Sequence, residues 1–154
     1  MKIETRRKKV LAVASSGGHW TQLLRITPAL KSHEIVFVTV LGSYRSQVPG
    51  HKFYLVNDAT RWNKLKLVFL ATRLAWIIVR ERPEVVVSTG AAPGYFALLF
   101  GHIFGARTIW IDSITNIDHL SMSGSLVGQY ADLWLTQWPH LAKPGGPGYG
   151  GSVL

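Results

Sequence analysis

Short runs of β-branched and apolar residues alternate along this chain with longer stretches whose apolar positions recur at helical spacing, and glycine, proline or serine marks most of the changes. The runs at residues 10–15, 34–40, 53–56, 85–88, 108–112 and 132–136 predict strands. The stretches at 18–31, 63–82, 93–105 and 121–130 predict helices. Pro83 ends the second of them, because proline disfavours the helical conformation in the residue before it. Strands that alternate with helices form a parallel sheet with its faces covered. The expected fold class is therefore α/β, a Rossmann-like parallel sheet with helices on both faces.

The same pattern sets the expected boundaries. Residues 1–9 read as a basic N-terminal arm, and the apolar run behind it is far too short for a signal-peptide core. Residues 10–140 read as a single domain. The tail, 141–154, is rich in Gly and Pro yet carries the apolar pair Val153 and Leu154. It is expected either to fray or to act as a tether with an apolar tip. The longest apolar stretch, 65–79, is broken by Lys66 and Arg73 and falls below the roughly 20 residues needed to cross a bilayer, so no transmembrane helix is expected.

In an open α/β sheet, ligands gather where strands end and helices begin, since loops converge there and the first turns of helices present unpaired N–H groups. Three such junctions stand out. The first is Ser15-Ser16-Gly17-Gly18-His19. Its glycines permit close approach of the backbone, its serines offer hydroxyls, and His19 sets an imidazole at the start of a helix. The alternative is a tight turn with His19 as an ordinary surface residue. The loop lacks the Gly-Lys-Ser/Thr of a Walker A motif and the Gly-x-Gly-x-x-Gly dinucleotide fingerprint, which argues against nucleotide hydrolysis and hydride transfer.

The second junction is Ser88-Thr89-Gly90-Ala91-Ala92-Pro93-Gly94-Tyr95. Gly90 is free to take positive φ and Pro93 suits a first helical turn, so the loop fits an anion or a sugar hydroxyl. On the other reading, Gly94 and the alanines serve only close packing of helix on sheet. The third is Asp112-Ser113-Ile114-Thr115-Asn116, where Asp112 either orients His19, bonds a sugar hydroxyl, or pins a turn. The remaining histidines, at 33, 51, 102, 119 and 140, show no metal-ligand spacing, and neither a metal nor a cofactor is expected.

Composition changes this picture in two respects. The chain has no cysteine, which excludes disulfides, thiolate metal sites and cysteine nucleophiles. Seventeen Lys and Arg against eight Asp and Glu give a formal net charge of +9, pointing to an acidic partner. Part of that charge lies on a helix that is apolar nearly all round, where Lys66, Arg73 and Arg80 recur along one narrow stripe. Such a helix either packs on two sides, within the fold or a complex, or lies in a bilayer interface with its cations at headgroup level. Arg61, Trp62 and Trp76 suit the interface, where each cation adds on the order of 1 kcal/mol of attraction to anionic lipid. No helix-turn-helix, zinc module or aromatic RNA-binding signature is present, so nucleic acid is not the expected partner.

Read together, Ser-Ser-Gly-Gly-His, Ser-Thr-Gly-Ala-Ala-Pro-Gly, Trp-Ile-Asp-Ser and Ala-Asp-Leu-Trp-Leu-Thr-Gln-Trp-Pro, in that order, resemble a known family. They look like the bacterial relatives, found in capsule and exopolysaccharide operons, of the membrane-anchoring subunit of the two-component UDP-N-acetylglucosamine transferase of dolichol-linked oligosaccharide synthesis. The resemblance runs from Val10 to Leu154. It implies the N-terminal domain of a GT-B glycosyltransferase, the donor-nucleotide half being supplied by a separate small subunit that docks across the cleft. In this the chain is similar to the N-terminal domain of the peptidoglycan lipid-intermediate N-acetylglucosaminyltransferase, whose glycine loops face the lipid-diphosphate acceptor.

Carried over, the resemblance sets Gly17, Gly18 and His19 at the cleft, with Gly90, Pro93 and Gly94 in the second loop and Asp112 and Ser113 at the border. The sequence departs from the family at two points. It shows no N-terminal membrane helix like that of the eukaryotic subunits, so attachment to the cytoplasmic face of the membrane is expected to be peripheral or partner-mediated. Asp112 also stands where many relatives carry glutamate. The expected activity is transfer of a sugar from a UDP-sugar to a polyprenyl-diphosphate-linked glycan. His19 is the candidate base, since imidazoles in general titrate at about 6.5. Two rival readings are a non-catalytic membrane anchor that enhances a complete glycosyltransferase, and a basic nucleic-acid-binding α/β protein.

Overall fold

The computed structural model describes residues 6–153; residues 1–5 of the basic arm and Leu154 at the tip of the tail lie outside it. The strands are β1 (Lys9–Val13), β2 (Glu34–Thr39), β3 (Lys52–Leu55), β4 (Val85–Ser88), β5 (Arg107–Ile111), β6 (Leu133–Thr136) and β7 (Gly148–Tyr149). They form one seven-stranded sheet in the order β3-β2-β1-β4-β5-β6-β7, and every neighbouring pair is parallel. The helices are α1 (Gly18–Ile26), α2 (Lys64–Glu81), α3 (Ala91–Ile103) and α4 (Met122–Val127).

Side chains alternate across a strand, so each inner strand feeds two cores. Leu11, Val13, Val36, Val38 and Val86 face α2, α3 and α4, where they meet Leu70, Leu74, Ile77, Ala97, Leu98 and Val127, with Trp110 of β5 in the same cluster. Val10, Ala12, Ile35, Phe37 and Val87 face α1 and pack on Trp20 and Leu23. Both faces are covered, which is why the central strands read as almost unbroken apolar runs.

Where the elements depart from the sequence pattern, single residues explain the difference. The first helix stops at Ile26 and continues as a 3₁₀ turn, Thr27–Leu30, because Pro28 has no N–H to donate and its ring crowds the carbonyl of Leu24. The fourth stops at Val127 and tightens into a 3₁₀ turn at Gly128–Tyr130. In α2 the expected end holds. Asn63 accepts from the N–H of Lys66 at 3.0 Å at the start, and Arg82, before Pro83, takes φ 49° and closes the last turn. A 3₁₀ turn at Gly42–Gln47 and strand β7 have no counterpart among the expected elements. The Gly/Pro-rich tail pairs Gly148 and Tyr149 with Leu135 and Thr136, and the N–H of Val153 donates to Gln137 at 2.8 Å. Glycine-rich chain is weak in local structure, and these partners lie outside the local pattern that a reading of the tail can use.

Among the described residues, helix α2 packs on one side only. Leu70, Leu74, Ile77 and Ile78 are buried, whereas Trp62 (80% exposed), Leu65 (76%), Val68 (63%) and Phe69 (71%) stand in the open. Among the described residues no helix is long and apolar enough to cross a membrane.

Candidate functional site

The chain builds outward from β1 in one direction through β2 and β3, then returns to place β4 on the other side of β1. Between β1 and β4 the connections diverge to opposite faces, and such a switch point opens a crevice at the carboxyl ends of the strands. Val13 and Ser88 are partners in the register, so the first and second glycine loops emerge side by side.

They are tied to each other at His19. Its Nδ1 lies 2.9 Å from the carbonyl oxygen of Thr89, and the Thr89 hydroxyl donates to the carbonyl of His19 at 2.6 Å. A carbonyl only accepts, so Nδ1 donates here, and in the neutral ring that leaves the lone pair on Nε2. Gly90 has φ 141° and lies against the imidazole: a Cβ there would come within 2.5 Å of Cε1 and closer still to Nδ1. Only glycine satisfies both conditions.

The other first-loop residues have distinct surroundings. Gly17, at φ 67°, caps α1, and its N–H donates to the hydroxyl of Tyr44 at 3.0 Å. That leaves Gly18, His19 and Trp20, in the first turn of α1, as the N–H groups without an intrahelical carbonyl. Ser15 is buried and its carbonyl accepts from Thr39, while Ser16 is half-buried. In the second loop, Pro93 and Gly94 are buried. A Cβ at Gly94 would collide with Ser88 Oγ and stand 3.1 Å from the Trp110 ring, so this glycine lets α3 close down on β4 and β5. The packing reading of Gly94 has a direct structural cause.

Asp112 does not touch His19. Its carboxylate accepts from Trp110 Nε1 at 3.1 Å, Asn116 Nδ2 at 3.1 Å, and both the N–H and the hydroxyl of Ser121 at 2.9 and 2.6 Å. Fully buried and saturated, it pins the loop that leads into α4. Gly124 makes room for it, since a Cβ there would strike Asp112 Oδ1. Ser113 is buried as well and accepts from Gln22 Nε2 at 3.0 Å.

Gln22 opens a layer of the site that the sequence reading missed. It accepts from the N–H of Ile114 and from Gln137, whose amide also donates to the carbonyl of Asp112 at 2.9 Å. Through these amides α1, the third loop and the end of β6 are locked together beneath the crevice. The available signal was a glutamine on the inward face of an amphipathic helix, one turn after His19, since a buried amide requires partners. Among the described residues, no cluster of three or more His, Asp or Glu is placed to hold a metal ion.

The residues expected at a membrane surface lie along α2 and the turn before it. Arg61 stacks over Trp62 at 4.5 Å and its Nη1 lies 3.6 Å from Met122 Sδ, next to the third loop. Arg73 and Arg80 flank Trp76 at 4.6 and 5.3 Å, and Lys66 is exposed in the first turn. An α-helix rises about 1.5 Å per residue, so Arg80 is on the order of 20 Å further from the crevice than Lys66.

A parallel sheet of this order, with its glycine loops at the switch point, is a Rossmann-like fold of the kind that forms one half of GT-B proteins. It superposes on MurG of Acinetobacter baumannii with a TM-score of 0.76 at 12% identity, covering 92% of this chain but 45% of MurG. It also superposes on the UDP-N-acetylglucosamine 2-epimerase of Rickettsia bellii, with a TM-score of 0.68 at 9% identity over 88% of this chain and 40% of the epimerase. The chain thus spans less than half of either protein. The chain belongs to the Alg14-like family of oligosaccharide biosynthesis proteins, whose family model matches residues 55–146. It is 27% identical to the human UDP-N-acetylglucosamine transferase subunit ALG14, over 87% of this chain and 77% of the human protein.

Proposed function

We propose that this chain is the acceptor-side subunit of a two-component glycosyltransferase, inactive alone, which moves a sugar from a UDP-sugar to a polyprenyl-diphosphate-linked glycan at the cytoplasmic face of a membrane. The observation that carries the reading is one of extent. Nearly the whole chain matches under half of MurG, and a relative matched over 87% of this chain and 77% of its own length is named as a subunit of a UDP-N-acetylglucosamine transferase. A GT-B active site lies between two halves, so the donor nucleotide would be held mainly by a separate donor-domain subunit.

In this scheme the acceptor hydroxyl stands above Nε2 of His19. Nε2 takes the hydroxyl proton as the acceptor oxygen bonds to the anomeric carbon, the bond from that carbon to the UDP phosphate breaks, and UDP leaves with the bonding electrons. The N–H groups of Gly18 and His19 suit the acceptor diphosphate, which then approaches beside Ser15 and Ser16. Arg61, Trp62, Lys66, Arg73, Trp76 and Arg80, together with the exposed Leu65 and Phe69, would rest on anionic lipid. The end of α2 nearest the crevice then keeps the polyprenyl tail in the bilayer while its diphosphate reaches the first loop.

The test is to co-express the chain with a candidate donor-domain protein from the same operon. UDP-sugar transfer to a short polyprenyl-diphosphate glycan is then measured with each chain omitted in turn. Transfer that requires both supports the proposal. Transfer by the partner alone, merely accelerated by this chain, would replace it with the anchor-and-enhancer reading.

A further inference from the structure

We infer that Thr89 is a positioning residue, which holds the His19 imidazole with its proton on Nδ1 and so keeps Nε2 free to act as the base; the inference rests on the acceptor-side reading above. The argument begins with the imidazole itself. In water a neutral histidine side chain favours the proton on Nε2, which would leave the wrong nitrogen available at the crevice. In this chain the ring is turned by contacts from a loop 70 residues away in sequence: His19 Nδ1 to the Thr89 carbonyl at 2.9 Å, and the Thr89 hydroxyl to the His19 carbonyl at 2.6 Å. The two bonds run in opposite directions and close a ring between the β1 and β4 loops. Thr89 is wholly buried, so no water competes for either of its groups.

Gly90 completes the seat. With no Cβ, it lets the imidazole lie against the backbone at a point where any side chain would drive Nδ1 away from the Thr89 carbonyl. The hydroxyl of Thr89 anchors the main chain of His19, and the carbonyl of Thr89 anchors the ring. Losing the first should loosen the second. Asp112, the carboxylate nearest in role to the usual partner of a catalytic histidine, is committed elsewhere, so a backbone carbonyl supplies the orientation.

The tautomer can be read directly. The full chain, labelled with ¹⁵N-histidine, is observed by long-range ¹H–¹⁵N correlation at about pH 8.5, above the ordinary imidazole range. The His19 signal is assigned by its loss in His19→Asn. The expected result is an Nδ1-protonated His19 in the wild type, a shift towards Nε2 protonation in Thr89→Val, and recovery in Thr89→Ser. In the assembled transferase, Thr89→Val should lower kcat about tenfold, equivalent to about 1.4 kcal/mol, with acceptor KM little changed and Thr89→Ser close to wild type. Nε2 protonation in the wild type would overturn the inference, as would a Thr89→Val chain with unchanged tautomer and rate. Should Thr89→Val fail to fold, the wild-type spectrum alone decides. An Nδ1-protonated His19 in a chain that supports no transfer with any donor subunit would remove the functional reading while the tautomer assignment stands.

Discussion

Glu81 and His19, at opposite ends of the sheet, are held in opposite ways. At the amino ends of the strands, Glu81 is buried at the close of α2 and takes hydrogen bonds from Lys52 at 2.6 Å, from Lys9 at 3.4 Å and from Tyr54, joining β1 and β3 to the helix. Every partner of that carboxylate is inside the chain. At the carboxyl ends Asp112 is saturated in the same way, but around His19 the groups are neutral, Gly90 takes a backbone conformation that favours glycine, and among the described residues the imidazole is held through Nδ1 alone. A buried charge must be satisfied internally, because leaving it unpaired costs several kcal/mol, whereas a working group must be left incomplete until its ligand arrives. On the proposed function, the first end serves stability and the second chemistry, and substitutions should separate them.

The largest effect is expected at His19. His19→Ala should lower sugar transfer by the assembled complex at least a hundredfold, in the range seen for loss of a general base, with melting temperature and partner binding preserved. Near-normal turnover would remove His19 from catalysis and erase the contrast. Gly90→Ala should damage both function and stability. The methyl group meets the imidazole and an L-residue is strained at φ 141°, so we expect a loss of about 2 kcal/mol in chemical denaturation along with most of the transfer activity.

Glu81→Gln should give the converse result, costing about 2 kcal/mol of stability through the loss of charged hydrogen bonds while turnover per folded molecule is retained. Its pH dependence has a defined sign. Burial pushes the Glu81 carboxyl up, but hydrogen bonds from Lys52, Tyr54 and Lys9 more than offset this and hold it below its ordinary value of 4.5. The folded state therefore binds this proton less readily than the unfolded chain. The advantage of wild type over the variant should be complete above pH 4.5 and vanish as pH falls through the lowered value, as followed by denaturant melts across the acid range. Lys52 is held above its ordinary 10.5 by its hydrogen bond to Glu81, so its share persists below 10.5 and is lost only at more alkaline pH.

The smallest effect on folding is expected on the exposed face of α2. Phe69, 71% exposed, can be replaced by Asn with a change in stability within about 0.5 kcal/mol. Binding to anionic vesicles should nevertheless fall several-fold in a sedimentation assay. Unchanged binding would show that this apolar face meets something other than lipid.

The alternation of apolar runs made the parallel sheet and its helices readable in advance, since a two-sided core requires strands apolar on both faces. The first loop was readable for a related reason: Gly-Gly-His at the end of a central strand leaves few conformations open. Asp112 shows the limit of that reasoning. In the sequence it is a carboxylate at a strand end, equally able to orient a base or pin a turn, and only the placement of Ser121, Asn116 and Trp110 around it decides for the turn.

By itself, then, the sequence determined the class of fold, the three candidate loops and the cationic, apolar character of α2, because local periodicity and glycine chemistry act over a few residues. The tertiary structure decided the pairing of His19 with Thr89, the Gln22–Gln137 lock beneath the crevice and the strand hidden in the Gly/Pro-rich tail. The His19–Thr89 and Gln22–Gln137 contacts join residues 70 and 115 positions apart, and the order in which strands lie side by side, not the chemistry of either neighbourhood, is what brings them together.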